Sequence, residues 1–459
     1  MEFEKVEIVY FLGIGGIGMS ALARYFHHHK KIVLGYDKTR TGLTTELEME
    51  GISIHYDDTV LEIPHILKVT PKEKVLVIFT PAIPHDSSEK NWFIDNGYTL
   101  YKRSQVLGFI TDSLPTIAVA GTHGKTTTSS LAAHILKHSE KGCNAFLGGI
   151  SANYKTNLLL GEKTDWTVVE ADEFDRSFLT LSPTISIITS TDADHLDIYG
   201  DANHVIEGFQ LFAEKIKTGG HLIVKKGLEI DIKKIPNECS VYFYSINEEG
   251  DFFATNIRVE NGKYHFDFHS PFGNVSDISL GQPGRHNVEN AVAASAACLL
   301  AGVDISSLKA ALNDFSGVAR RFQYIISTPE LTYIDDYAHH PSELEAAIKS
   351  TKELFPNKKI TGIFQPHLFT RTRDFADDFA QSLDLLDECI LLPIYPAREL
   401  PIEGVTSEML LGKMKIERKV LVQKNELIPF LSENRPEVLL TLGAGDIDIF
   451  VDQIRNLFA

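Results

Sequence analysis

Apolar positions along this chain fall in short runs separated by stretches of helical period. Residues 6–12 form an apolar run ending in glycines, 19–28 repeat at helical spacing, and 32–36 form a second run, so the chain opens on a βαβ unit. The pattern continues through 75–79 and closes near 103–110. A strand is predicted over 116–120, running straight into a glycine-rich loop and then a helix over 127–138. Further strands are expected at 166–170, 184–189 and 221–224, while 240–245, 252–259 and 264–268 read as an antiparallel section. An alanine-rich helix is expected at 287–301, followed by a third α/β pattern with strands near 331, 360–364, 388–393 and 437–442. Strands alternating with helices predict an α/β protein. Three domains are expected: Rossmann-like at 1–108, P-loop ATPase-like α/β with an antiparallel β section at 109–317, and Rossmann-like α/β at 318–459.

Composition agrees with several cores. At 459 residues the chain exceeds what one core usually organises, and 43% hydrophobic with 23% charged residues is ordinary for a globular protein. The formal charge of −18 argues against a broad cationic surface, so neither nucleic acid nor membrane is an expected partner, and anionic ligands must be met locally. The cysteines, Cys143, Cys239, Cys298 and Cys389, have no zinc or disulfide spacing and read as free thiols. No signal-like N-terminus and no apolar run of membrane length are apparent, so a cytoplasmic location is expected. His27 to His29 read as a helix end, and the aromatic stretch 242–244 as strand core.

Two glycine loops carry the candidate chemistry. Gly13-Ile14-Gly15-Gly16-Ile17-Gly18 fits G-x-G-x-x-G between a strand and a helix, where backbone N–H groups and the helix N-terminus can meet a diphosphate, and Asp37 follows the second strand at the place of a ribose ligand. Alone, this loop would equally suit a nicotinamide-dependent oxidoreductase. Gly121-Thr122-His123-Gly124-Lys125-Thr126-Thr127-Thr128 follows an apolar strand and precedes a helix, the setting of a triphosphate loop. Lys125 would offset phosphate charge and the Thr126 hydroxyl would reach Mg²⁺. Val119 stands where the usual first glycine would be, so the loop must be shortened. Glu170 ends one strand and Asp192 to Asp197 follow another, and their oxygens suit a hard cation, with His195 a further candidate ligand.

In this order the chain carries Gly-Thr-His-Gly-Lys-Thr-Thr-Thr, Glu-Ala-Asp-Glu, Asp-His-Leu-Asp, Gly284-Arg285-His286-Asn287, Arg320-Arg321-Phe322, Asp335-Asp336-Tyr337-Ala338-His339-His340-Pro341 and Gln365-Pro366-His367. Together they resemble the Mur ligases of peptidoglycan synthesis, and within them the alanine-adding branch, over nearly the whole chain. The resemblance implies an ATP-dependent ligation of L-alanine to the carboxylate of UDP-N-acetylmuramate through an acyl phosphate. It also implies residue roles. Gly121, Thr122, His123, Gly124, Lys125, Thr126 and Thr127 would hold ATP with His286, Asn287, Asn290, Arg320 and Asp336. Thr126, Glu170 and His195 would bind the metal. Gly15, Gly16, Ile17, Gly18, Met19, Ser20, Asp37, Thr80, Ala82, Ile83 and Arg103 would bind the uridine sugar, and Tyr337, His339 and Arg371 the alanine. Lys125, Glu170, His195, His339 and Arg371 would form the catalytic set, with His339 the preferred base.

Two departures bear on these roles. Leu368 follows the Gln-Pro-His triplet where some relatives have a basic residue, so carboxylate capture would rest on Arg371 or Arg373. Gln210 stands near the place of a carbamylated lysine in later-acting members, in keeping with the alanine-adding branch. The near alternative is the family's recycling ligase, which adds a tripeptide to the same nucleotide sugar. A monomer or weak homodimer is expected.

Overall fold

The computed structural model describes residues 3–161, 165–192, 199, 201–397 and 399–458. The chain divides into two compact units: Met1–Phe253 with Phe268–Val275 and Asn290–Ala311, and Ala254–Asp267 with Ser276–Glu289 and Leu312–Ala459. Each is an α/β structure organised by parallel strands.

The first unit begins with a five-stranded sheet of β1 (Ile8–Leu12), β2 (Ile32–Tyr36), β3 (Ser53–His55), β4 (Val75–Phe79) and β5 (Leu100–Lys102), in the order β3-β2-β1-β4-β5. All four pairings are parallel. Central β1 is buried along its whole length, which explains its uninterrupted apolar sequence. Leu12 pairs with Tyr36 on one side and Phe79 on the other, so Gly13, Asp37 and Thr80 leave the sheet together at one carboxyl edge. Ligands of open parallel sheets bind at such an edge.

The same unit contains β6 (Thr116–Ala120), β7 (Cys143–Ser151), β8 (Thr156–Leu159), β9 (Trp166–Glu170), β10 (Ile185–Ile188), β11 (His221–Lys225) and β12 (Ser240–Ser245), in the order β12-β11-β10-β6-β9-β7-β8. Only the β7–β8 hairpin is antiparallel among these. Ala120 pairs with Ile188 and Val119 with Glu170, so the loop after β6 leaves beside the ends of β9 and β10. Val119 is therefore a strand residue, and the shortened loop begins at Gly121.

The expectation that 240–245 belong to the antiparallel section is corrected. β12 pairs in parallel with β11, Ser240 with His221 through Tyr244 with Lys225. The alternation of apolar side chains is the same for either strand direction, and direction follows from the connection over residues 226–239. The antiparallel turns come later, in β13 (Phe252–Glu260), β14 (Lys263–Ser270) and β15 (Gly273–Leu280). Asn261 and Gly262, both at positive φ of 52° and 74°, supply the two-residue turn between β13 and β14.

The six-stranded sheet of the second unit comprises β16 (Gln323–Ser327), β17 (Thr332–Asp336), β18 (Ile360–Phe364), β19 (Glu388–Leu391), β20 (Lys419–Leu421) and β21 (Val438–Leu442), in the order β16-β17-β21-β18-β19-β20. β16 is antiparallel and the rest are parallel. Leu442 pairs with both Asp336 and Phe364, so Tyr337, Gln365 and Gly443 leave at one level. The cysteines are all free, three of them buried, and His28 and His29 are exposed at a helix end, as expected. Among the described residues no helix is long and apolar enough to cross a membrane.

Candidate functional site

In the first unit, Gly13 turns the chain out of β1 at φ 86°, and the N–H of Gly15 donates to Asp37 Oδ2 at 2.7 Å. Thr39 N–H donates to the other oxygen at 3.1 Å, so Asp37 braces the glycine loop with both oxygens. Any side chain at Gly15 would sit 2.8 Å from that carboxylate and 2.7 Å from Thr44. The helix Ile17–His28 then starts with Gly18 pressed against Arg103: an added Cβ would lie 2.9 Å from the guanidinium. Met19 and Ser20 are buried, and Asn157 on β8 holds the first turn by donating to Ile17 O at 2.5 Å and Ser20 Oγ at 3.0 Å. The turn Thr80 to Ile83 closes with an Ile83 N–H to Thr80 O bond of 3.1 Å beside Gly13. The residues expected around the uridine sugar, with Ala82 in that turn, thus gather at one edge.

The loop after β6 needs glycine at both ends. Gly121 has φ 136° and Gly124 has φ 81°, regions that side chains rarely enter. Between them Thr122 Oγ1 and Ser190 Oγ bond at 2.9 Å, His123 N–H donates to Ser190 Oγ at 2.8 Å, and Asp192 N–H donates to Thr122 Oγ1 at 3.0 Å. Thr189 and Ser190 were not legible as loop partners. Hydroxyls after a buried strand paired to β6 were the available signal. The helix Lys125–His138 starts directly behind, with Thr126 and Thr127 buried in its first turn. Asn290 Oδ1 accepts from Thr128 Oγ1 at 3.2 Å and lies close against Gly124.

Lys125 Nζ donates to Gly121 O at 2.6 Å, Thr122 O at 3.2 Å and Glu173 at 2.9 Å. Burial pulls its ammonium down, yet Glu173, with Glu170 and Asp172 behind it, holds it above the ordinary lysine value. Glu170 ends β9 over Gly148, where an added Cβ would collide with its carboxylate. Arg103 pairs with Asp172 at 3.5 Å, and a small cleft is lined by Arg103, Ser104, Glu170, Asp172 and Ser177 among others. A residue expected at the sugar nucleotide and one expected at the metal therefore share one cleft. Thr126 in the first turn of its helix and Glu170 at the end of β9 offer the hard oxygen donors that a divalent cation prefers. His195 lies outside the described residues.

In the second unit, Arg320 and Phe322 adopt positive φ of 59° and 48°, and this turn lets Phe322 N–H donate to Asp336 Oδ2 at 2.8 Å. Ala338 N–H donates to Oδ1 at 2.7 Å. Burial raises the Asp336 carboxyl to about 6, although Arg321 pulls it back. His286 is driven down to about 4 by burial first and Arg321 second, so it is neutral at physiological pH. Asn287 Nδ2 donates to Pro283 O at 2.6 Å. Arg320 bonds Asp335 at 3.2 Å and Gly443 O at 2.8 Å, and lies over the Tyr337 ring at 5.1 Å.

His339 Nδ1 lies 3.0 Å from Tyr337 O and 3.2 Å from Glu343 Oε2. Both neighbours are acceptors, so Nδ1 is assigned as a nitrogen that carries a proton. His367 meets His339 edge-on at 6.2 Å and stacks on Tyr395 at 5.7 Å, a pairing the sequence did not reveal. Leu368 caps the next helix at φ 69°, its N–H bonded to Tyr395 O at 2.9 Å. Of the two arginines after it, Arg371 is buried, whereas Arg373 is exposed and paired with Asp374. Gln210 bonds Glu214 at 3.0 Å and the Asp231 backbone at 2.8 Å and 3.3 Å, a packing role.

A triphosphate-type loop on one parallel sheet, a dinucleotide-type glycine loop on another and a further α/β sheet in the second unit are the marks of a nucleotide-dependent enzyme. The chain belongs to the Mur ligase family, whose members are ATP-dependent ligases: residues 8–113 match its "Mur ligase family, catalytic domain", 119–298 its "Mur ligase middle domain" and 320–445 its "Mur ligase, glutamate ligase domain". It is 51% identical over 461 residues to a UDP-N-acetylmuramate–L-alanine ligase of Cytophaga hutchinsonii, covering 100% of this chain and 98% of the relative. The enzyme of that name from Parabacteroides distasonis is 50% identical over 457 residues, again covering 100% and 98%. Among solved structures, UDP-N-acetylmuramate-alanine ligase MurC from Thermotoga maritima superposes with a TM-score of 0.78 at 28% identity, covering 98% of each chain. A murein peptide ligase from Psychrobacter arcticus, at 23% identity and a TM-score of 0.73 over 98% of each chain, shares the fold.

Proposed function

We infer that this protein joins L-alanine to the carboxylate of UDP-N-acetylmuramate at the expense of ATP, a step of peptidoglycan synthesis. The observation that carries the reading is full-length likeness, at about half of all positions, to relatives bearing that activity in their names. The site supports it chemically. A carboxylate is a poor acyl donor, and transfer of the γ-phosphoryl group makes it a good one, with ADP leaving. The amine of alanine then attacks the acyl carbon and phosphate departs. Lys125, held at the mouth of the phosphate loop, is placed to offset charge on the moving phosphoryl group. Thr126 and Glu170, with His195, would hold Mg²⁺, which when bound draws phosphate charge toward itself.

Gly15 to Ser20, Asp37, Thr80 to Ile83 and Arg103 are assigned to the uridine sugar, and His286, Asn287, Asn290, Arg320 and Asp336 to the nucleoside and phosphates of ATP. Tyr337, His339 and Arg371 are assigned to alanine. His339, whose Nδ1 faces the Tyr337 carbonyl and leaves Nε2 as the other ring nitrogen, is the preferred group to take the proton of the alanine ammonium. Arg371, the buried arginine of its helix, is preferred over Arg373 for the alanine carboxylate. The domains are read as 1–108, 109–317 and 318–459, and the enzyme as a cytoplasmic monomer or weak homodimer.

Hydroxylamine supplied in place of alanine tests the first step. With ATP and UDP-N-acetylmuramate it should yield a muramoyl hydroxamate together with ADP. ADP formed without hydroxamate would contradict an acyl-phosphate route.

A further inference from the structure

A lysine ammonium has three donors, and in this protein the phosphate-loop lysine spends them on Gly121 O at 2.6 Å, Thr122 O at 3.2 Å and the Glu173 carboxylate at 2.9 Å. Glu173 is 1% exposed. Its backbone carbonyl accepts from the Tyr199 hydroxyl at 2.8 Å, which anchors the segment just beyond β9. A lysine that abandoned Glu173 for a phosphate would break an ion pair formed in the interior, which costs more than giving up a bond to a neutral carbonyl. The two carbonyl bonds are different. They join a cation to neutral acceptors, and phosphate oxygens, being charged, are stronger replacements. The same carboxylate repels an incoming triphosphate, so it weakens ground-state attraction while fixing where the ammonium points.

We propose that Glu173 is a positioning residue that keeps hold of Lys125 while the carbonyls of Gly121 and Thr122 give way to the phosphates. Lys125 then bridges Glu173 and the transferred group, aimed by one and drawn by the other. This inference rests on the ATP-dependent ligase reading.

Glu173→Gln keeps the size and an acceptor but removes the charge. Measured on the full chain, kcat for phosphate release should fall by about tenfold while the calorimetric Kd for Mg·ATP stays the same or tightens. A kcat within about twofold of wild type, or kcat and Kd worsening by one common factor, would overturn the proposal. A melting-temperature cycle over Lys125→Met, Glu173→Gln and the double variant supplies a readout independent of turnover. Each single variant already loses the pair, which the double variant loses only once, so the double variant should melt higher than their effects predict by addition. That non-additivity should persist with saturating non-hydrolysable ATP analogue. Its disappearance on adding the analogue would mean that Lys125 leaves Glu173, contrary to the proposal. Absence of alanine-dependent turnover in the wild type would sink the alanine-ligase reading, and the melting cycle would still decide the role of Glu173.

Discussion

Gly148 illustrates how a residue without a functional group governs one that has it. Its hydrogen leaves room for the Glu170 carboxylate, and Gly148→Ala would push that carboxylate aside. The predicted outcome is a kcat reduced by at least about tenfold with little loss of stability, read from steady-state phosphate release and a melting curve. At this scale the sequence made Lys125, Thr126 and Glu170 legible, because glycines, a lysine and a strand-end carboxylate have fixed spacings. Glu173 and Asp172 were not separable from Glu170 by type, and only burial and direction distinguish the carboxylate that meets Lys125 from the one that meets Arg103.

Buried titrating groups make a second residue-scale prediction. Asp336, with its pKa raised to about 6, favours the folded state while protonated, so its contribution is full below the ordinary aspartate value near 4 and is lost as pH rises through 6. His286, lowered to about 4, acts oppositely: its charging opposes folding as pH falls below about 6.5. Each effect is on the order of 3 kcal/mol, and in the window between pH 4 and 6 they largely cancel. Asp336→Asn removes one side. Melting curves from pH 4 to 7 should show the variant gaining on the wild type as pH rises, and a constant gap would contradict the assigned burial.

Elements carry the site by their register. Asp37, Gly13 and Thr80 converge because three parallel strands end at one level, and the phosphate loop meets Ser190 and Glu170 for the same reason. The strands themselves were readable from apolar runs. Their neighbours were not, since pairing depends on crossovers, and β12 was misread for that reason. The short helix Phe174–Thr180, which contributes Ser177 and Thr180 to the cleft beside Arg103, also escaped, having too few residues to show a period. Asn157 tests how far one element steadies another. Asn157→Ala strips the first turn of helix Ile17–His28 of two donors and leaves Arg24 without the acceptor it meets at 2.7 Å. It should destabilise by about 1–3 kcal/mol in urea melts. KM for UDP-N-acetylmuramate should rise more than KM for ATP.

For the whole molecule, a chain of net charge −18 calls for placed cations to meet anionic substrates, and Lys125, Arg103, Arg320 and Arg371 are the ones we propose for that role. The repeated α/β pattern made the fold class readable. What no motif in one domain could state was the reaction, because the phosphate loop alone serves an ATPase as well as a ligase; the succession of motifs and the full-length relatives narrow it. The decisive measurement is phosphate release from ATP by the purified chain, with UDP-N-acetylmuramate and L-alanine supplied separately and together. Sustained release only when both are present, with one UDP-N-acetylmuramoyl-L-alanine formed per phosphate, is the predicted result. Release indifferent to either compound, or satisfied by a tripeptide but not by alanine, would contradict it.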